Sequence, residues 1–361
     1  MTSTNRYLPP KTLNNLLKVL VRSESLVIIG KSVNFLPIYG LKVGNGPVKV
    51  LIWSQMHGNE STTTRALLYI LDEFKTGKAS MMLNQLTLFL IPQLNPDGAK
   101  AYTRCNANDV DLNRDAVNLT QPESVALKGV FDEFKPHFCF NLHGQRTIFA
   151  AGKKGKPSTL SFLSPAVNHE GSITQARLKA MQIIVAIKNN LSTSLRNQIV
   201  RYNDAFNINC VGDLFTSLGA PTVLFEAGHY PMDYDRDITL NFVQDAIMTG
   251  LNVIAKEEYI KFNVDEYQEI PENSKDFVDI ILHGVTIIDG DENISDQSLA
   301  LQYEEVLDNN RILFQPKCST YGRNLDLIGH QTFLISDLNI PYSIEFKTGK
   351  IIEIFKKSDF R

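Results

Sequence analysis

The chain has 361 residues, of which 43% are hydrophobic and 21% charged, and a formal net charge of −3. This length suits one large domain and a smaller one, and the lack of clustered Lys and Arg argues against nucleic acid as a partner. The four cysteines are widely spaced and form no CxxC pair, so a disulfide framework and a cysteine zinc site are both excluded.

The N-terminus has no basic segment followed by an apolar core. No later run reaches the ~18 apolar residues of a membrane span. We therefore expect a cytoplasmic protein without a membrane partner, and the sequence leaves its oligomeric state open.

Apolar runs bounded by turn residues alternate with amphipathic stretches through the first two thirds of the chain. Near-continuous apolar runs are typical of strands covered on both faces, and they occur at 48–54, 86–94, 137–143 and 221–227. Apolar residues recur at helical spacing within 67–74 and 240–254. The alternation predicts an α/β fold with a sheet between helices.

The composition changes after about residue 262. A polar, proline-containing segment, 265–276, follows, and we expect an exposed linker at the boundary near residues 262–272. Short β-type runs follow, at 278–288, 312–317, 342–346 and 347–355. We predict a first domain of residues 1–262 and a small, mostly β domain of residues 266–361.

A histidine and a glutamate three residues apart, His57 and Glu60, follow the first apolar run in the segment HGNE. One interpretation is a turn histidine and a first-turn acid favoured by the helix dipole. The other is a metal site, because residues just beyond strand ends line the crevice where α/β proteins bind ligands.

Two further candidates lie at strand ends. His143 leaves an apolar run into a glycine turn, where it is either a core residue or a ligand. Glu226 ends another run, and a carboxylate there must be paired, hydrated or protonated. Two imidazoles and one carboxylate from His57, Glu60 and His143 would hold zinc with one open position, and Glu226 would then be the base beside the bound water.

The segment between these candidates, residues 91–115, contains NPDG at 95–98 and DLNR at 111–114. NPDG alone indicates a turn. Arg104 and Arg114 flank a stretch rich in Asn and Asp, and guanidinium groups often bind a carboxylate through two hydrogen bonds.

The order HxxE, NPDG, Arg, DLNR, strand-end His and FE resembles the zinc carboxypeptidase family of the carboxypeptidase A type, over roughly residues 40–255. The resemblance implies a mixed, mostly parallel sheet between helices and one Zn²⁺ per chain. It implies that His57, Glu60 and His143 bind zinc and that Glu226 is the general base. It further implies that Arg104 steadies the carbonyl oxygen and that Asn113 and Arg114 hold the terminal carboxylate of a peptide substrate.

Three positions depart from the family pattern or extend it. Tyr202 stands only loosely where relatives have a tyrosine that closes over the substrate, and a packing role is an equal alternative. Asp115 replaces a second asparagine and adds a negative charge beside Arg114 in sequence. Arg146 is either an extra anion contact or an exposed loop charge.

Two alternatives to a carboxypeptidase stay open. The HGNE form and a C-terminal β domain resemble the neighbouring aspartoacylase and succinylglutamate desuccinylase group, which removes an acyl group from an amino acid. The third hypothesis is a zinc-containing binding protein without catalysis, and the presence of Glu226 with all three candidate ligands argues against it.

Overall fold

A computed structural model describes residues 6–21, 25–289, 291–338, 343–347 and 350–351. The α-helices in these ranges are α1 Pro10–Leu20, α2 Thr62–Lys75, α3 Ser80–Leu83, α4 Pro96–Ala101, α5 Pro122–Phe134, α6 Gln175–Leu191, α7 Val211–Ser217, α8 Asp237–Ala255 and α9 Asp265–Gln268. Short 3₁₀ helices are Leu112–Arg114, Glu258–Lys261 and Ile335–Asp337.

The strands fall into two large sheets and one short ribbon. They are β1 Leu26–Lys31, β2 Pro37–Gly44, β3 Val48–Ser54, β4 Leu86–Ile91, β5 Phe138–Gly144, β6 Ala150–Ala151, β7 Leu160–Leu163, β8 Ile199–Arg201, β9 Thr222–Ala227, β10 Asn273–Ser274, β11 Phe277–Asp289, β12 Glu292–Asp308, β13 Arg311–Gly322, β14 Ile328–Leu334, β15 Ser343–Lys347 and β16 Lys350–Ile351.

The first sheet has eight strands in the order β1-β2-β4-β3-β5-β9-β7-β8. Its centre is parallel, because β4, β3, β5 and β9 pair in the same direction, whereas β1, β2 and β7 make antiparallel pairs. The prediction of a mixed sheet between helices is confirmed.

Both faces of this sheet are buried, which explains the near-continuous apolar runs of its strands. Side chains of β3 alternate between two cores: Val50 and Ile52 pack with α1, α2, α6 and α8, whereas Leu51 and Trp53 pack with α5 and α7. Since β3, β5 and β9 are parallel neighbours, their carboxyl ends meet at one edge of the sheet. His143 and Glu226 are direct register partners there.

The second sheet has the order β13-β12-β11-β15-β16, with β14 pairing with β11. A mostly β C-terminal region is thus confirmed, whereas the division into domains of residues 1–262 and 266–361 stays a prediction. Most of the predicted run 347–355 lies outside the described residues. Tyr234, from the segment before α8, packs in the core of this second sheet and donates its hydroxyl to Asp279 at 2.9 Å.

The expectation of an exposed linker near residues 262–272 is wrong at two positions. Tyr267 and Ile270 are buried in the larger of the two cores that flank the first sheet. The Arg201 backbone N–H donates to the Pro271 carbonyl at 3.0 Å, and Gly152 donates to Glu272 at 3.0 Å. Polar composition concealed these two apolar anchors, which hold the segment against the first sheet.

Among the described helices, α8 has a length and hydropathy that would also suit a membrane span. Half of it is buried inside the protein, packed against α2 and α6. A core helix of a soluble protein passes the same test, so this helix is weak evidence for a membrane span.

Candidate metal centre and active-site cavity

The turn after β3 aims His57 and Glu60 at the sheet edge. Gln55 adopts a left-handed conformation (φ 50°), and its side chain donates to the Gly58 carbonyl at 2.6 Å. The hydroxyl of Ser54, at the end of β3, lies 2.7 Å from that of Thr63 in the first turn of α2. These contacts connect the strand to the helix across HGNE.

The HGNE and NPDG segments touch through their backbones. A Cβ atom on Gly58 would lie 1.9 Å from the Gly98 carbonyl carbon, so only glycine fits there. NPDG is the start of α4 rather than an isolated turn, because the Asn95 side chain caps the helix by accepting from the Gly98 N–H at 2.8 Å.

The three predicted ligands converge on one point. His57 Nδ1 lies 2.9 Å from Glu60 Oε1 and 3.1 Å from His143 Nδ1, and His143 Nδ1 lies 3.2 Å from Glu60 Oε2. Both histidines are almost fully buried. The second Glu60 oxygen is anchored by the Gly144 N–H at 2.8 Å.

These atoms fit a metal ion. The two Nδ1 atoms face each other beside a carboxylate, so one cation could bind both of them once both imidazoles are neutral. Tetrahedral zinc with bonds of about 2.0–2.2 Å separates neighbouring ligand atoms by about 3.3–3.5 Å, so a small outward shift would seat the ion. The cluster of His57, Glu60 and His143 could therefore hold one metal ion.

Asp111 orients His57 from the other side, in a contact that no sequence pattern predicted. Its Oδ1 lies 3.0 Å from His57 Nε2, so His57 is held between a carboxylate and the metal site. Such a partner fixes the tautomer and orientation of a metal-binding imidazole. The position of Asp111 in the DLNR motif is the sequence feature that could have pointed to this role.

Arg104 is held at the rim of the cluster. Its Nε and Nη2 both donate to Asp111 Oδ2, at 3.2 and 3.0 Å, and its Nη1 lies 3.4 Å from Glu60 Oε1. The side chain is 49% exposed, so it is fixed by charge pairs while still facing solvent.

The charges at the cluster shift each other's titration. Burial opposes ionisation of His57, but Glu60 and Asp111 outweigh it and raise the pKa of His57 to about 9. Burial likewise opposes ionisation of Glu60, and His57 with His143 reverses this, so the pKa of Glu60 lies far below its usual range. Without a metal, the site therefore holds an ionised Glu60 and a protonated His57 at neutral pH, and a metal ion bound by His57 would displace that proton.

Glu226 lies beside the cluster on β9. Its Oε2 is buried and has no hydrogen-bond partner among the described residues. Burial, followed by the negative charge of Glu60, raises the pKa of Glu226 well above its usual value. A poorly solvated, unpaired carboxylate of this kind readily takes up a proton.

Asn113 and Arg114 lie on the wall of the same cavity. The Asn113 side chain accepts from the Val211 N–H at 3.0 Å, and exposed Arg114 donates to the Asn113 carbonyl at 2.7 Å and to Cys210 Sγ at 3.2 Å. The Asp115 carboxylate does not pair with Arg114, because it accepts hydrogen bonds from Thr120 and Gln121 instead.

Tyr202 and Arg146 both reach the cavity wall. The Tyr202 hydroxyl donates to Gln145 Oε1 at 2.9 Å, and its ring packs edge-on against Phe149, so the side chain has a packing role in this conformation. Arg146 is exposed.

The cavity has a volume of about 1150 Å³ and extends to the second sheet. Its wall includes Gln302, Tyr303 and Glu305 from β12 and Lys317 from β13. Arg236, from the loop before α8, also lines it. No sequence pattern predicts this wall, because no local motif links residues so far apart in the chain.

Residues 15–150 match the zinc carboxypeptidase family. A carboxypeptidase of Arabidopsis thaliana is 30% identical over 155 residues, covering 37% of this chain and 32% of the relative. A probable carboxypeptidase of Arthroderma benhamiae is 30% identical over 113 residues, covering 30% of this chain and 21% of the relative. The chain thus spans less than a third of the length of these relatives.

Solved structures share the fold. The metallo-carboxypeptidase of Burkholderia cenocepacia aligns with a TM-score of 0.54 at 15% identity, covering 69% of each chain. The carboxypeptidase A of Helicoverpa armigera aligns with a TM-score of 0.53 at 18% identity, covering 68% of this chain and 72% of its own. The family match over residues 15–150 and the shared fold agree with the resemblance of the sequence to zinc carboxypeptidases, and the cluster of His57, Glu60 and His143 could hold one metal ion.

Proposed function

We propose that the protein is a zinc carboxypeptidase that hydrolyses an amide bond next to a free terminal carboxylate. The observation that carries the proposal is a single cavity that holds the cluster of His57, Glu60 and His143 together with Glu226 and Arg114. We extend the proposal to a cytoplasmic location, which the four free cysteines support.

Each residue has a distinct part in the proposed reaction. Zinc, when bound by the cluster, would acidify water and polarise the substrate carbonyl. Glu226 Oε2 accepts the proton of the attacking water and later returns it to the departing amine. The Arg104 guanidinium, held by Asp111, donates to the oxygen that becomes negative.

Asn113 and Arg114 select the bond. The Arg114 guanidinium is exposed to the cavity and has no carboxylate partner among the described residues, so it is available for a terminal carboxylate. The Asn113 side chain, anchored by Val211, fixes the backbone that carries Arg114. This arrangement restricts cleavage to the last bond of a peptide.

A test compares wild type and Arg114→Lys, each with a peptide that ends in a free acid and with the same peptide amidated. Lysine keeps the charge but loses the two-point contact, which should cost about 1.5–3 kcal/mol, mainly through KM. Amidation should weaken wild type similarly and add little in the variant. Equal cleavage of both peptides by wild type would reject the carboxypeptidase proposal.

The second candidate is an N-acyl-amino-acid deacylase. The wall that β12 and β13 contribute to the cavity favours it, because residues of a second sheet limit the space for a longer peptide. Hydrolysis of N-acyl amino acids, with no cleavage of tripeptides, would support this candidate over the carboxypeptidase.

A further inference from the structure

Arg236 is a buried guanidinium with an unused donor. Its side chain is 2% exposed and lines the cavity that contains the metal cluster. Nη2 donates to the Gln145 carbonyl at 3.1 Å, two residues beyond His143. Nη1 is buried and has no hydrogen-bond partner among the described residues.

A second buried arginine lies close to Arg236. Arg6, 9% exposed, donates to the Tyr234 carbonyl and is paired with Glu305 from β12. Burial and then the charge of Arg6 lower the pKa of Arg236 to about 10. The carboxylates of Glu305 and Asp233 act in the opposite direction, but neither is a hydrogen-bond or ion-pair partner of Arg236 among the described residues. A buried guanidinium donor without an acceptor is costly unless a bound group supplies one.

The Arg236 region is distinct from the Arg114 region. The contacts of Arg114 are Asn113 and Cys210, from the DLNR segment and the residue before α7. Arg236 instead contacts the segment after His143, through the Gln145 carbonyl, and its neighbour Arg6, in the N-terminal segment, contacts β12 through Glu305. With a terminal carboxylate at Arg114 and the scissile amide at the cluster, the acyl part of a substrate fills the remaining cavity, where Arg236 lies.

We propose that Arg236, supported by Arg6, is an anion subsite that binds a carboxylate on the acyl part of the substrate. The inference rests on the proposed function and narrows its substrate class to peptides or acyl amino acids with an acidic group next to the scissile bond. The carboxylate that Arg236 binds comes from an Asp or Glu side chain in the penultimate position or from the free end of a dicarboxylic acyl group. Both present the same carboxylate to the unused Nη1 donor.

The kinetic test uses zinc-loaded full-length protein and blocked dipeptides that differ only in the penultimate residue, Asp against Asn and Glu against Gln. N-succinyl and N-butyryl derivatives of one amino acid probe the dicarboxylic source. Wild type should prefer the acidic member of at least one set by roughly ten- to hundredfold in kcat/KM, as expected for a hydrogen-bonded charge pair. Arg236→Met should remove that preference, and Arg236→Lys should retain part of it.

Arg146→Met is the matched control, since Arg146 is an exposed arginine on the same cavity wall. It should keep the preference for acidic substrates. Loss of the preference in Arg146→Met but not in Arg236→Met would overturn the assignment. Cleavage by wild type with no preference for the acidic member in any of the three sets would also overturn the assignment. That result would leave the proposed hydrolysis intact.

Binding separates the subsite from the reaction. Succinate and its monoamide mimic the acyl product and differ only in the distal group, a carboxylate against an amide. Neither has an amide nitrogen bonded to a carbon that bears a free carboxylate, so the proposed reaction has no bond to cleave. By calorimetry, the acid should bind wild type at least tenfold more tightly than the amide, and Arg236→Met should bind both alike. If no peptide is cleaved but this difference holds, the subsite stands and the proposed hydrolysis fails. Equal binding of both probes by folded wild type would reject the subsite.

Discussion

The metal cluster and the Arg236 region lie in one cavity but are assembled from different parts of the chain. His57, Glu60 and His143 stand at or just after two neighbouring strands of the first sheet, and their mutual contacts satisfy most of their polar atoms. The Arg236 region joins the N-terminal segment to the second sheet, with Arg6 and Glu305 separated by 299 positions. Short motifs therefore supply the candidate metal ligands, whereas long-range packing forms the wall of the cavity around Arg236.

The largest expected effect comes from removing a predicted ligand. His143→Ala should remain folded, because the sheet core is untouched, but lose the zinc that wild type should carry at one ion per chain. Metal analysis after dialysis measures this. His169→Ala, at an exposed histidine outside the cavity, should keep its zinc. Full zinc content in His143→Ala would remove His143 from the ligand set.

The next effect isolates proton transfer. Glu226→Gln keeps the shape of the side chain but cannot accept a proton, so kcat should fall by about 10²–10⁴ while zinc content and substrate binding persist. Steady-state kinetics with metal analysis separate these quantities. Glu304→Gln, a carboxylate on the second-sheet side of the cavity, should keep kcat near the wild-type value. A change confined to KM would argue that Glu226 only binds substrate.

A smaller effect tests the carboxylate behind the cluster. Asp111→Asn removes the charge that orients His57 and pairs with Arg104, so zinc should bind about 10–100-fold more weakly. Competition with a chelator measures the affinity. Asp109→Asn changes an exposed aspartate two residues away and should bind zinc like wild type. Equal affinities in the two variants would show that Asp111 does not support the metal site.

Sequence patterns predicted the sheet and its strand-end residues because periodicity and strand ends are local properties. The pairing of Asp111 with His57 could be anticipated only in part, since DLNR shows the residue but not its partner. The orientation of Asp115 depends on the turn that places Thr120 and Gln121. Arg236 gave no sequence signal, because its burial depends on Arg6 and on β12, which approach it only in the folded chain.

The smallest effect is on stability and concerns Asp213. This cavity residue is 7% exposed, and its Oδ1 accepts a hydrogen bond from the Asn207 N–H at 3.3 Å. Burial raises the pKa of Asp213 from 3.8 to about 6. A carboxyl group whose pKa is higher in the folded chain than in the unfolded chain stabilises the fold at low pH. This stabilisation is complete below the unfolded pKa, near 4, and is lost as the pH rises through about 6. The difference amounts to at most about 3 kcal/mol.

Asp213→Asn cannot ionise but keeps an oxygen that accepts from Asn207, so it should not lose this contribution between pH 4 and pH 7. Relative to wild type, its free energy of unfolding should therefore rise across that window, by up to about 3 kcal/mol. Urea denaturation of both proteins at several pH values measures the change, and the zinc contribution cancels because the cluster is the same in each. A difference between the two proteins that stays constant from pH 4 to pH 7 would show that Asp213 titrates alike in the folded and unfolded chains.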